Sequence, residues 1–356
     1  NTKRTGDSTN LQLVFTQHHA EASTLARTVS LKVGRNEITV PQITSNNFER
    51  GGQLYVAYTG NNSLDQYAVR VGGGSDIPVL NIYGKTDTER TAAIKAYVEE
   101  LETYVAAIET KHASVHTGNK NVDYAYDQQN CILNATDIMM SEMMYSLPAT
   151  QIWAGIKNAS DKADKLDKAL KAMEQTMTLF YQHKGLSQEA GSIRGNNAMP
   201  AQHLNIRYMR MFSGAFMYAS GNHIGIEWGS ATLASAPNDW SGFGWGIAHE
   251  IGHNINQGSY AVAEVTNNYF AQLLTGKTRY TYDNVYKKVT SGTKGRASNV
   301  FTQLAMYWQL HLAFDDNTND KYIYDSYEEQ FNNLFFARVD TYARNPGKAP
   351  KSGLSL

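Results

Sequence analysis

The sequence predicts an α+β protein in which an N-terminal β-sandwich, residues 1–75, precedes a larger and mostly helical domain, residues 76–356. Two observations support this fold class. Short runs of alternating apolar residues fill the first 85 positions, and helical periodicity dominates from residue 86 onward. The 356 residues are 42% hydrophobic and 18% charged, so the chain can bury a large core and wholesale disorder is excluded. The glycine triplet at 72–74 marks the predicted domain boundary.

The N-terminal strands are predicted from period-two alternation bounded by turn residues. Residues 28–40 indicate two strands joined by a turn at 34–36. Residues 54–59 and 67–71 are further β-rich runs, and clusters of Gly, Asn and Ser separate them. Residues 77–83 predict one more strand, which we expect to be buried. Short strands at this spacing are typical of a small sandwich.

The helices are predicted from the spacing of apolar side chains. Residues 86–89 (Thr-Asp-Thr-Glu) form a capping box, and apolar residues then recur at i, i+3, i+4 and i+7 up to residue 108. A second long helix is predicted over 160–181. Residues 203–228 alternate again and predict a hairpin. The remaining helices are predicted over 245–256, 260–274, 298–313 and 325–343.

Charge and cysteine content exclude several classes of protein. The formal net charge of −1 argues against a nucleic-acid binder that works by bulk charge. No run approaches 18 apolar residues, so no transmembrane helix is predicted. The one cysteine, Cys131, excludes an internal disulfide framework and a cysteine-based structural zinc site. The chain begins at Asn1 without a signal peptide, so we expect a mature or trimmed form.

The motif that carries chemistry is the HExxH pattern at residues 249–253, which reads His-Glu-Ile-Gly-His. On a helix, His249 and His253 lie at i and i+4 on one face, where both imidazoles can bind one tetrahedral zinc ion. Glu250 is rotated by about 100° from His249 and lies beside the open position of the metal. A carboxylate there can take a proton from water and pass it to a leaving amine. The pattern predicts a zinc-dependent hydrolase of peptide bonds.

The third protein ligand distinguishes subclasses of such sites. The metzincin extension would place glycine at position 256 and histidine at position 259, where this chain has Asn256 and Ser259, so that subclass is excluded. Glu264 is the first acidic residue after the motif and is the predicted third ligand. Its nearest rivals are Asp283, which is distant in sequence, and Glu227, which precedes the motif.

A second helix is predicted to carry Glu264, and the turn at 257–259 folds this helix back against the first. Asn268 is at i+4 from Glu264 and therefore on the same helical face. We expect its amide to accept the outer N–H of a zinc-bound histidine, with Asn267 as the alternative.

At these residues the chain resembles a known family. Residues 246–254 (Gly-Ile-Ala-His-Glu-Ile-Gly-His-Asn) and 264–268 (Glu-Val-Thr-Asn-Asn) are similar to the enhancin-like zinc metallopeptidases, peptidase family M60. The resemblance extends to residues 51–55 and 301–314. It implies a zincin-like catalytic domain of the gluzincin type over residues 76–356. It also implies His249, His253 and Glu264 as zinc ligands and Glu250 as the catalytic acid and base.

The resemblance also implies a biological setting. It indicates a bacterial enzyme, extracellular or at the cell surface, that binds one Zn²⁺ and cleaves O-glycosylated proteins, mucins in particular. Members of the family continue past the position of Leu356, so we expect further chain, and further domains, beyond it. Two alternatives remain, a zinc protease that does not depend on glycans and a catalytically weak protein that binds mucin or glycan. The complete HExxH-plus-Glu set favours the enzyme, since a pseudo-enzyme would be expected to lose Glu250 first.

Residues near the motif are the candidates for substrate recognition. Trp240 lies in a predicted loop before the motif, and Arg296 lies in a polar loop that precedes the helix at 298–313. We expect Trp240 to stack on a sugar and Arg296 to donate hydrogen bonds to the glycan or to the substrate backbone. Trp245, one turn before His249, is a further candidate, although core packing is its stronger explanation. The hairpin at 215–226 is the predicted edge that pairs with the substrate backbone.

Overall fold

A computed structural model describes most of the chain. The described residues are 4–16, 26–41, 52–61, 66–112, 133–187, 197, 204–209, 211, 215–221, 223–227, 233, 244–275, 287, 290, 300–316 and 323–348. Trp240, Arg296, Asp283 and Cys131 lie outside these ranges.

The N-terminal region contains a three-stranded antiparallel sheet with the order β2-β1-β3. Its strands are β1 (Ser8–Thr16), β2 (Ala26–Lys32) and β3 (Leu54–Tyr58). Leu11, Leu13 and Phe15 alternate along β1 and form a small core together with Leu31 of β2. The predicted sandwich would need a second, facing sheet, and the described residues of this region form this one sheet.

Two of the predicted N-terminal strands are wrong, and one strand was missed. Residues 33–40 leave the sheet, because the side chain of Asn36 bonds the backbone N–H and C=O of Lys32 and ends β2 there. The partner of β2 is instead β1, which was not predicted. Residues 67–71 lie outside both sheets, and Tyr67 packs at the margin of the small core.

The larger sheet is mixed and six-stranded, with the order β4-β5-β6-β7-β9-β8. Parallel pairing joins β4 to β5, β6 to β7 and β7 to β9, and antiparallel pairing joins β5 to β6 and β8 to β9. The hairpin β8–β9, which was predicted, therefore places β8 at one edge of the sheet. The strands are β4 (Val79–Asn81), β5 (Thr136–Met139), β6 (Met143–Leu147), β7 (Leu204–Tyr208), β8 (Met217–Ser220) and β9 (His223–Ile226).

The two predicted long helices are present and pack against this sheet. The first, α1 (Asp87–His112), starts at a reciprocal capping box in which Thr86 N–H donates to Glu89 (2.9 Å) and Glu89 N–H donates to the Thr86 hydroxyl (3.4 Å). A short helix, α2 (Ala149–Ile156), precedes α3 (Lys162–His183), whose N-cap is Asp161. One apolar cluster joins these helices to the sheet and continues into the C-terminal helices.

The C-terminal helices differ from the prediction at two places. The predicted helix at 260–274 is in fact a series of turns up to residue 267, and the one predicted at 325–343 breaks at Leu334. Leu334 is extended and fully buried, because its side chain packs into a cluster with Tyr324 and Ala337. The helices are α4 (Gly244–Ile255), α5 (Asn268–Thr275), α6 (Val300–Phe314), α7 (Tyr327–Asn333) and α8 (Phe335–Arg344), followed by a 3₁₀ turn (Pro346–Lys348).

A buried polar contact joins the N-terminal sheet to the larger one. Gln53 donates to the carboxylate of Asp137 on β5 (2.7 Å), and the hydroxyl of Tyr55 on β3 donates to the same oxygen (3.2 Å). Burial raises the pKa of Asp137, and these hydrogen bonds act in the opposite direction because they stabilise the carboxylate.

None of the helices in the described part of the chain combines the length and hydrophobicity needed to span a bilayer.

Candidate metal centre

Helix α4 presents the two histidines of the motif side by side. His249 and His253 are one turn apart, their ring centroids are 4.8 Å apart, and their Nε2 atoms are separated by 3.2 Å. Their side chains are partly exposed, by 17% and 28%. The i, i+4 spacing therefore produces the convergent pair of ring nitrogens that the sequence predicts.

The carboxylate of Glu264 completes a cluster of three donor atoms. One oxygen lies 3.2 Å from Nε2 of His249, and the other lies 3.1 Å from Nε2 of His253. Ligands that bind one tetrahedral zinc at 2.0–2.1 Å are about 3.3 Å from one another. The three spacings in this cluster are 3.1–3.2 Å, so both the chemistry and the separation of the donors fit a zinc ion.

The backbone at Glu264 corrects the prediction that this residue lies on a helix. Its φ is 64°, and among the described residues it is the one non-glycine residue with a positive φ. A left-handed conformation costs an L-residue about 1–2 kcal/mol, because Cβ crowds the following carbonyl. Helix α5 begins only at Asn268, so Glu264 and Asn268 do not share a helical face. The turn nevertheless brings the carboxylate to both imidazoles.

The side chain of Asn268 fixes the tautomer of His249. Its Oδ1 lies 2.6 Å from Nδ1 of His249, and its Nδ2 donates to the backbone carbonyl of Glu264 (2.5 Å). A proton on Nδ1 leaves the Nε2 lone pair free for a metal. The amide nitrogen of the alternative residue, Asn267, lies 3.2 Å from Nδ1 and 3.3 Å from Nε2 of His249 and 3.1 Å from Nε2 of His253, so Asn267 presents no oxygen to Nδ1. Asn268 thus contacts His249 through its side-chain oxygen and the backbone of Glu264 through its side-chain nitrogen.

Glu250 lies beside the cluster and is half-buried. Burial raises the pKa of Glu250, nearby His249 lowers it, and the carboxylate of Glu264 raises it. Burial lowers the pKa of His253, chiefly by disfavouring the charged imidazolium. A neutral imidazole is the form that binds a metal.

Gly252, one of the two variable positions of the motif, has a packing role that the sequence analysis missed. A Cβ at this position would lie 2.3 Å from the backbone oxygen of Asn267. Only glycine therefore allows the chain that carries Glu264 to pass so close to α4. Glycine inside a helix costs about 1 kcal/mol relative to alanine. Its presence in the predicted helix was therefore the one sign in the sequence that another segment packs closely there.

The other predicted site residues are distributed as follows. Trp245 is partly buried and packs against the main core. Trp240 and Arg296 lie outside the described residues. Of the rival ligands, Asp283 also lies outside them, and Glu227 accepts a hydrogen bond from the backbone of Met211 (3.0 Å) rather than joining the cluster.

A second group of potential ligands, His183, His311 and Asp315, is fully buried behind α5, and the sequence analysis did not foresee it. Nδ1 of His311 lies 2.5 Å from one Asp315 oxygen, and the other oxygen accepts from the backbone N–H of Phe335 (2.7 Å). Two ligands of one zinc ion would be about 3.3 Å apart. The distance between His311 and Asp315 is shorter and is that of a hydrogen bond to a carboxylate, so this group is a hydrogen-bonded network.

The mixed α/β fold and the His-His-Glu cluster define the class of the protein as a metallopeptidase domain. The family model described as "Peptidase M60, enhancin and enhancin-like" matches residues 115–334, and the chain belongs to this family. The resemblance seen in the sequence is therefore confirmed. No curated protein sequence matches the chain.

Solved structures share the fold. The M60 catalytic domain of Clostridium perfringens ZmpC, in complex with the sialyl T antigen, is 22% identical, with a TM-score of 0.63 over 99% of this chain and 65% of that one. The ZmpB metallopeptidase of Clostridium perfringens is 23% identical, with a TM-score of 0.64 over 98% of this chain and 66% of that one. The IMPa metallopeptidase in complex with T-antigen is 15% identical, with a TM-score of 0.56 over 98% of this chain and 40% of that one. The chain thus spans about two thirds, or less, of these structures.

Proposed function

We propose that this chain is the catalytic part of a secreted bacterial zinc endopeptidase that cleaves peptide bonds in O-glycosylated proteins such as mucins. The observation that carries the proposal is the convergence of the Nε2 atoms of His249 and His253 with the Glu264 carboxylate, at 3.1–3.2 Å. His249, His253 and Glu264 would hold one Zn²⁺, and Asn268 would orient His249 from behind. When bound, zinc acts as a Lewis acid that polarises a carbonyl and lowers the pKa of water.

Glu250 is the proposed general base and acid. It follows His249 directly on α4, so its carboxylate flanks the face that the imidazoles share. It would take a proton from the attacking water and deliver it to the leaving amine nitrogen.

Strand β8 is the proposed binding edge for the substrate backbone. In the described part of the chain it is the outer strand of the large sheet and pairs with β9 alone. It also lies against α4, since a Cβ on Gly246 would meet the sulfur of Met217 at 2.9 Å. An extended peptide could add to this edge as a further antiparallel strand.

Glycan recognition is the part of the proposal that rests most on the relatives. Two of the similar structures are complexes with such a glycan. The Clostridium perfringens ZmpC domain is in complex with the sialyl T antigen, and the IMPa metallopeptidase is in complex with T-antigen. In this chain we propose Trp240 and Arg296 as the contacts to the sugar, with Trp245 as a further candidate. The two alternatives, a glycan-independent zinc protease and a weakly active glycan-binding protein, predict different results in the experiment below.

The N-terminal region is proposed to form a β-sandwich over residues 1–75, with the catalytic domain over 76–356. Support comes from the antiparallel sheet β2-β1-β3 and from the glycine triplet at 72–74.

Digestion of a mucin tests the proposal. The protein is incubated with an O-glycosylated mucin and with its enzymatically deglycosylated form, each with and without a chelator, and a Glu250→Gln variant serves as the inactive control. We expect cleavage of the glycosylated form only, and its loss with the chelator or in the variant. Equal cleavage of both forms would support the glycan-independent protease. Binding of the mucin without any cleavage would support the binding protein.

A further inference from the structure

Two tyrosines that reach into the protein flank Glu264, the third proposed ligand. We call residues 256–267, between α4 and α5, the Glu264 loop. Tyr260 lies in the first half of this loop, before Glu264, and Tyr269 lies in the first turn of α5, after Asn268. We propose that Tyr260 and Tyr269 are positioning residues that clamp this loop on both sides of Glu264 and hold Glu264 where it can bind zinc. The proposal rests on the proposed function in so far as the site binds zinc.

The first clamp is the contact of Tyr260 with a buried ion pair. Its hydroxyl donates to one oxygen of Asp340 on α8, whose other oxygen lies 2.6 Å from the ammonium of Lys184. The side chains of Lys184 and Asp340 are 4% and 1% exposed. Burial raises the pKa of Tyr260 well above its usual value, so the hydroxyl stays protonated and donates. Lys184 also lies over the Tyr260 ring, 5.7 Å from its centroid.

The second clamp is the contact of Tyr269 with buried histidines. Its hydroxyl lies 2.8 Å from Nδ1 of His183 and 3.4 Å from Nδ1 of His311, which in turn bonds Asp315. The Tyr269 ring is 5% exposed, and its centroid lies 4.8 Å from that of Phe336. Tyr269 is the neighbour of Asn268, so this contact also fixes the residue that orients His249.

Both clamps lead to the same place in the fold. His183 is the last residue of α3 and Lys184 is its C-cap, so two consecutive residues hold the two tyrosines. Arg344 fixes this helix end, since its guanidinium donates to the backbone oxygen of Lys184 (2.6 Å). Gly185 has a φ of 65° and lies so close to α8 that a Cβ would be 2.5 Å from the oxygen of Ala337. The C-terminal end of α3, which anchors both tyrosines, is therefore held by Arg344 and by close packing against α8.

The loop needs such an anchor because its key residue is strained and open to solvent. Glu264 has a positive φ, and its side chain is 53% exposed, so packing does not hold it in place. Strained backbone persists only where the surroundings impose it. Within the loop, the hydroxyl of Thr266 accepts hydrogen bonds from Asn256 (2.9 Å) and from the backbone of Val262 (3.0 Å), which stiffens its middle. Tyr260 and Tyr269 connect this stiffened loop to the core on both sides of Glu264.

Zinc affinity of three Tyr→Phe variants tests the clamp. The full chain is prepared as the parent, as Tyr260→Phe and as Tyr269→Phe, and as the matched control Tyr97→Phe. Tyr97 is buried on α1 and its hydroxyl also makes one hydrogen bond, to Thr136 (2.7 Å), far from the loop in sequence. Zinc dissociation constants come from competition with a chromogenic chelator, and the Tm of each zinc-free protein is measured in parallel. Loss of groups that orient metal ligands typically weakens metal binding by about 10–100-fold.

We expect that weakening for Tyr260→Phe and Tyr269→Phe, whereas Tyr97→Phe should lower the Tm without changing the zinc affinity. Hydrogen exchange of the zinc-free proteins should show faster exchange at 257–267 in the two clamp variants only, and this readout does not depend on activity. Should Tyr269→Phe fail to fold, Tyr260→Phe decides by both measurements. Parental zinc affinity and parental exchange in the clamp variants would overturn the clamp. A parent that binds no zinc would overturn the proposed function, and the clamp with it.

Discussion

Replacement of Gly252 by alanine tests the close approach between α4 and the Glu264 loop. The new Cβ would lie 2.3 Å from the backbone oxygen of Asn267 and 2.9 Å from its carbonyl carbon and Cα. Ordinary contact begins near 3.4 Å, so the loop would have to retreat by about 1 Å. Metal ligands tolerate shifts of only about 0.2 Å. Since Glu264 lies on this loop, we expect the zinc affinity of Gly252→Ala to fall by about 100-fold or more.

Gly252→Ala should change the free energy of unfolding much less than it changes the zinc affinity. Overpacking costs about 1–3 kcal/mol, but alanine is better than glycine inside a helix by about 1 kcal/mol. The zinc-free variant should therefore unfold in urea within about 2 kcal/mol of the parent. Gly258→Ala is the matched control, because it makes the same change in the same loop at a position where no described atom would lie within 4 Å of the new Cβ. Parental zinc affinity in Gly252→Ala, measured by chelator competition, would refute the reasoning.

Three further predictions concern individual side chains of the site. Glu250→Gln should keep its zinc but lower kcat by about 10²–10⁴-fold, and metal analysis beside peptide hydrolysis distinguishes this from a loss of metal. Asn268→Ala should weaken zinc binding by about 10–100-fold, because His249 loses the partner of its Nδ1, and an unchanged dissociation constant would contradict this. Trp240→Ala and Arg296→Ala should slow cleavage of a glycopeptide more than that of the same peptide without sugar. Equal rates of both variants and the parent on the glycopeptide would remove these residues from the site.

The histidine pair was predictable because it depends on one local property, the helical period. His249 and His253 converge wherever their segment is helical, and the sequence around them favours a helix. The choice of Glu264 was made on order in the sequence, and its carboxylate does reach both rings. Its backbone was predicted wrongly, since a φ of 64° on a glutamate is imposed by tertiary contacts rather than by local propensity.

The missed strands have two different explanations. Strand β1 does alternate, at Leu11, Leu13 and Phe15, so the signal was present. Strands β5 and β6 give no such signal, because the polar residues Asp137 and Ser146 are buried there against the N-terminal sheet. Burial of polar side chains by a partner that lies elsewhere in the sequence cannot be inferred from hydrophobic periodicity.

Anomalous X-ray diffraction at the zinc edge, on crystals of protein purified without chelators, tests the central claim most directly. The account predicts one peak per chain, about 2.0–2.2 Å from Nε2 of His249, Nε2 of His253 and an oxygen of Glu264. No peak at this position, or a peak at His183, His311 and Asp315 instead, would contradict it.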